Sequence, residues 1–167
     1  MHTSREAGAG KTTTLRRLAL HAARERLRSG SDAPLPLLIQ LPFWLTEPEP
    51  LDFVQAHWPF EADVGSALAT GDVILLLDGL NEMGGHGVAK AQLIRTWISS
   101  PHGPQRVVVT CRSHDYGLSS IWALTRLGSS RWTKNVYSAS LQLIFRNMPR
   151  RFLKTWISIF ATYSITC

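Results

Sequence analysis

Val73-Ile74-Leu75-Leu76-Leu77 is an unbroken aliphatic run that ends on Asp78. A strand with one wet face alternates apolar and polar residues, so a run that is apolar at every position must be covered on both faces. Val107-Val108-Val109-Thr110-Cys111 repeats the pattern. Between the two runs, Gly84, Gly85 and Gly87 loosen the chain, and a helical pattern follows over about Val88 to Ser99. Ala91, Ile94 and Ile98 lie on one side of it, with Leu93 and Trp97 beside them. Covered strands separated by helix-length segments fold as an α/β sheet with crossover connections.

The flanking segments agree with that class. Leu15, Leu18, Ala19, Ala22 and Leu27 share one face of a helix predicted from Thr12 to about Arg28, ended by Ser29-Gly30-Ser31. Pro34 to Leu41 reads as a short strand blunted by prolines. Thr46 to Asp52 is a turn-rich acidic loop, and a weaker helical stretch over about Asp52 to Ala69 is interrupted near Pro59. Beyond Tyr116, Val136 to Leu143 reads as one more strand. Pro149 then opens an amphipathic basic helix carrying Phe152, Leu153, Trp156, Ile157 and Phe160.

At 167 residues the chain has one domain's length and can bury a real core. No stretch reaches the roughly 18 consecutive apolar residues needed to span a bilayer, and the N-terminus has no apolar run of the kind a secretory signal requires. Cys111 and Cys167 lack metal or redox spacing, which makes a reduced, cytoplasmic setting the expectation. The net charge of +6 is uneven: all 12 acidic residues precede position 121, and the last 47 positions hold seven basic residues and no acid. Such a tail suits an anionic partner, nucleic acid or a membrane surface; a tail that has lost its natural frame or end would look the same.

Gly8-Ala9-Gly10-Lys11-Thr12-Thr13-Thr14 stands at the head of the first helix. Glycines let successive backbone N–H groups converge on one anion, the lysine adds positive charge, and the next hydroxyl ligates Mg²⁺. The following helix points its positive end at the same place. The alternative is a flexible turn opening a basic helix. Asp78-Gly79-Leu80-Asn81-Glu82 follows the first aliphatic run, and the carboxyl ends of such strands are where open α/β sheets bind ligands. There Asp78 is a candidate Mg²⁺ holder, and Glu82, one turn on, a candidate to orient or deprotonate a water. Taken alone the segment is also an ordinary acidic turn. Arg112, past the second run, is placed to reach a γ-phosphate or to be a plain surface arginine.

Other groups carry less. Ser113-His114-Asp115 has the residue types of a hydrolase triad, but three consecutive residues cannot converge as a triad must. The six histidines lack zinc-site spacing. Trp44, Trp58 and Trp97 read as packing residues.

Taken in order, these segments resemble a NACHT-type nucleotide-binding domain of the STAND class of signalling ATPases, within the P-loop NTPases. The carriers are residues 6–15 (EAGAGKTTTL), 75–83 (LLLDGLNEM) and 107–112 (VVVTCR), and the resemblance covers about residues 5–116. It implies a three-layer P-loop NTPase fold of the ASCE type, a parallel sheet with flanking helices. It implies ATP or ADP and Mg²⁺ as cofactors. Backbone amides from Gly8 through Ala9 and Gly10 to Thr12, with the Lys11 amine, would hold the β- and γ-phosphates. Thr13 would lie near the α-phosphate, and Thr12 and Asp78 would hold the metal, Asp78 as the Walker B acid. Glu82 would be the catalytic acid/base and Arg112 the sensor. Family members act as switches, closed with ADP and open and self-associating with ATP.

The chain also departs from the pattern. Arg5 replaces the first glycine of G-x-x-x-x-G-K-[ST], and the family's opening strand is absent. That strand belongs beside the one ending at Arg112, so its absence predicts a row of backbone groups without a partner. Asn81 replaces the commoner Asp. The expectation is a nucleotide-binding core over 1–116, incomplete at its N-terminus, with a basic tail over 117–167. The chain then reads as a fragment or mis-started product of a larger switch ATPase, with weak or lost hydrolysis. The competing reading is a non-enzymatic interaction fragment that binds nucleic acid or an anionic surface through Arg146, Arg150, Arg151 and Lys154 beside Trp156 and Phe160. A third is that no autonomous function survives.

Overall fold

A computed structural model describes residues 9–111, 136–138 and 141–146. The two aliphatic runs are β2 (Val73–Asp78) and β3 (Val107–Cys111), and the proline-flanked run is β1 (Leu35–Gln40). They pair in parallel, β1 on β2 and β2 on β3. All six residues of β2 are buried, the five aliphatic ones as a strand covered on both faces requires and Asp78 with them. Pro36 lies within β1, which is the edge of the sheet, and a residue without an N–H is tolerated there.

Helices cover both faces. α1 (Ala9–Ser29) packs against β1 and β2 through a stripe that buries Leu15, Leu18 and Ala22. Alternation along the strands sends Ile74, Leu76 and Val108 to that face. Val73, Leu75, Leu77, Val107 and Val109 face the other way. They form the larger core with α2 (Pro50–Ala56), α3 (Val64–Thr70) and α4 (Gly87–Ser99). The result is the α/β/α layering of a P-loop NTPase. Trp44 stacks on Phe53 with ring centroids 5.5 Å apart, and Trp58 and Trp97 pack against the same cluster. The tryptophans are therefore packing residues, as expected.

Several boundaries differ from the sequence reading. The stretch over 52–69 is two short helices, interrupted around Pro59 as expected, but they begin at Pro50 and end at Thr70. Asp63 restarts the helix by accepting the backbone N–H groups of Gly65 and Ser66. α3 stops at Gly71, whose φ of 82° is the left-handed conformation glycine adopts without strain. α1 begins at Ala9, three residues before the predicted start, so Ala9, Gly10 and Lys11 form its first turn.

The largest difference lies beyond β3. In place of one strand over 136–143 there are two, β4 (Val136–Ser138) and β5 (Leu141–Arg146), paired antiparallel. β5 in turn pairs antiparallel with all of β3, from Val107 opposite Arg146 to Cys111 opposite Gln142. The sheet order is β1-β2-β3-β5-β4. The edge of β3 expected to lack a partner is thus paired, and the sheet is mixed: a parallel core of three strands with an antiparallel pair at one side. The helix expected after Pro149 lies outside the described residues.

Candidate nucleotide-binding site

Parallel pairing brings the carboxyl ends of β1, β2 and β3 to one side of the sheet, with Gln40 level with Asp78 and Leu77 level with Val109. Thr110 therefore comes level with Asp78. Asp78 is 6% exposed and Thr110 1%, and these are the buried polar side chains among the described residues. They are bonded to each other: the Thr110 hydroxyl donates to Asp78 Oδ1 over 2.6 Å. Thr110 Oγ1 in turn accepts the backbone N–H of Gly79 over 3.1 Å.

The other carboxylate oxygen faces α1. Thr12 Oγ1 donates to Asp78 Oδ2 over 2.7 Å, joining the helix that carries the Gly-Lys-Thr segment to the end of the central strand. α1 has no acidic residue in its first turn and has Arg26 and Arg28 in its last. No acidic side chain in that first turn offsets the positive end of the helix dipole. Two segments that sequence spacing alone leaves unconnected meet at a carboxylate.

After Asp78 the chain turns sharply. Gly79 has a φ of 81°, and a Cβ there would lie 3.3 Å from Pro42 Cδ and 3.4 Å from Glu82 Oε2. The turn continues as a 3-10 segment, Leu80–Glu82, closed by the Glu82 N–H on the Gly79 carbonyl at 2.8 Å. Leu80 is fully buried and anchors it, while Glu82 is exposed beside Gly79. Thr13 is exposed on α1. Ala9, Gly10 and Lys11 are placed as backbone of the first turn of α1, and Gly8 and Arg112 lie outside the described residues. Thr110 is the site residue that sequence reasoning passed over. The available signal was a hydroxyl inside an otherwise aliphatic buried strand.

The donor set suits a hard divalent cation. A buried carboxylate and a hydroxyl within hydrogen-bond distance of one another offer oxygen atoms alone, as Mg²⁺ prefers. No cluster of three or more His, Cys, Asp or Glu suited to a metal occurs among the described residues. One protein carboxylate is in keeping with a cation that takes its remaining ligands from phosphate and water.

A NACHT domain family model matches residues 5–122. The chain belongs to the NACHT domain family. It is thereby a nucleotide-binding domain of the P-loop NTPase type, and the parallel core, the flanking helices and the Thr12–Asp78 contact are consistent with a NACHT fold. Neither a curated protein nor a solved structure matches the chain. No helix among the described residues of this NACHT domain is long and apolar enough to cross a membrane.

Proposed function

We propose that this NACHT domain binds ATP and ADP with Mg²⁺ and serves as the switch of a STAND-class signalling protein, hydrolysing ATP slowly. The observation that carries the reading is the 2.7 Å hydrogen bond from Thr12 to Asp78. It joins the phosphate-binding end of a helix to the carboxylate of a central strand, the pairing that a Mg-nucleotide requires.

In this reading the amides from Gly8 to Thr12 and the Lys11 amine hold the β- and γ-phosphates, and Thr13 lies by the α-phosphate. Thr12 and Asp78 hold Mg²⁺, which when bound neutralises charge on the phosphate oxygens. Glu82, exposed on the turn next to Gly79, orients the attacking water, and Arg112 senses the γ-phosphate. A ligand shifts a two-state equilibrium only by its differential affinity for the states. The γ-phosphate is what distinguishes ATP from ADP, so it must supply that difference, and self-association would follow the ATP state.

Calorimetric titration of the purified chain with ATP and with ADP, with and without Mg²⁺, tests the proposal. Mg²⁺-dependent binding that Lys11→Ala weakens at least ~100-fold is expected, from loss of a charge-assisted phosphate contact worth about 3 kcal/mol. Glu82→Gln should retain binding and slow hydrolysis by about 100-fold or more. A folded sample that binds neither nucleotide would refute the reading.

A further inference from the structure

Valine has nearly the shape of threonine and would fill a buried strand position without a polar atom, as it does at Val107, Val108 and Val109. At position 110 the chain buries a hydroxyl whose hydrogen bonds define its orientation. A backbone N–H can only donate, so the Gly79 amide occupies a lone pair of Thr110 Oγ1, and the single hydroxyl proton goes to Asp78 Oδ1. The terminal torsion of an aspartate is broad and roughly two-fold, so its carboxylate plane is set by its partners. Thr110 pins that plane from the strand side and ties it to the next peptide of the chain, at the left-handed Gly79. The second oxygen is then presented to Thr12.

We infer that Thr110 is a positioning residue for the divalent cation: by holding Asp78 Oδ1 it aims Oδ2 at the place where the metal of a bound nucleotide sits, and so sets the Mg²⁺ affinity of the site. This rests on the proposed Mg-nucleotide binding. Partners that orient a metal ligand are worth about 10–100-fold in metal affinity.

The test is a MgCl₂ titration of ATP binding by the full chain, with ATP binding in EDTA and thermal melting measured beside it. Thr110→Val should raise the Mg²⁺ midpoint by about 10–100-fold and leave ATP affinity in EDTA unchanged. Thr110→Ser, which keeps the hydroxyl, should restore the wild-type midpoint. A residue that merely fills the core would lower the melting temperature without moving the midpoint. A folded Thr110→Val protein with the wild-type midpoint overturns the inference, and so does a Thr110→Ser protein whose midpoint rises. Should Thr110→Val not melt cooperatively, Thr110→Cys keeps the volume with a weaker donor, and a midpoint between wild type and about 100-fold higher is expected. If the wild-type chain shows no Mg²⁺-dependent ATP binding, the nucleotide reading fails. Amide exchange at Gly79 in the ligand-free chain then still reads the geometry: Thr110→Val should speed it, and unchanged protection overturns the inference.

Discussion

Gly79 does three things in one residue: it ends β2, reverses the chain toward Glu82 and gives its N–H to Thr110. A side chain there meets a left-handed backbone and the ring of Pro42. Gly79→Ala should therefore lower stability by about 1–2 kcal/mol from the conformational term alone, read as a drop in thermal midpoint. It should also weaken Mg²⁺-dependent ATP binding, because the Gly79 N–H helps to orient the Thr110 hydroxyl that holds Asp78. At this scale the site was only half legible in the sequence. Lys11, Thr12, Asp78 and Glu82 stand in recognisable order along the chain. Thr110 does not, because a threonine near the end of a valine run looks like any residue that favours a strand. Its partner becomes visible only when β3 is registered against β2.

The capped helix α3 gives the clearest prediction at the level of one element. The Ser66 hydroxyl, then the backbone N–H groups of Ser66 and Gly65, hold the Asp63 carboxyl below its ordinary value of 3.8. The sign follows from linkage. A carboxyl whose folded value is depressed stabilises the fold above its unfolded value, and that contribution fades as pH falls through the folded one. Asp63→Ala should thus melt below wild type at neutral pH, and the gap should close below about pH 3.8, the unfolded value. A gap independent of pH would mean that the carboxylate does not supply the cap. The helices also show where sequence periodicity loses resolution. α4 runs Gly87–Ser99 almost as its apolar spacing predicts, since Ala91, Ile94 and Ile98 make one continuous buried stripe. α2 and α3 have seven residues each, too few to carry a period, and the break between them depends on Pro59 and the Asp63 cap.

At the scale of the whole molecule, the parallel core was legible because short aliphatic runs, rich in Val and Ile and separated by turn signals, are too short for buried helices and fit covered strands. What lies beside β3 was not. The segment over 136–146 carries one weak strand signal, and its division into two strands and its direction depend on a partner remote in sequence. Leu143 pairs with Thr110 on one side and Val136 on the other. Leu143→Pro removes a ladder hydrogen bond inside the sheet and should cost at least about 1 kcal/mol, lowering the melting midpoint of the whole domain in a single transition. A melting curve unchanged from wild type would mean that β5 contributes nothing to the stability of the parallel core.

The antiparallel pair also bears on the order in which the chain assembles. Each parallel pairing joins residues remote in sequence, Leu35 with Val73 and Leu75 with Val107, and so closes a long loop. β4 and β5 close a short one, with Ser138 opposite Leu141. Loop entropy favours the short closure, and hairpins form in about 1–10 μs, well ahead of typical parallel sheets. β4–β5 can then pair, if only marginally on its own, while β3 still has both edges bare. A valine-rich strand in that condition is a template for any other chain in the same state. A hairpin in the same chain meets that edge at high local concentration, so its pairing shortens the time for which β3 is open to another chain.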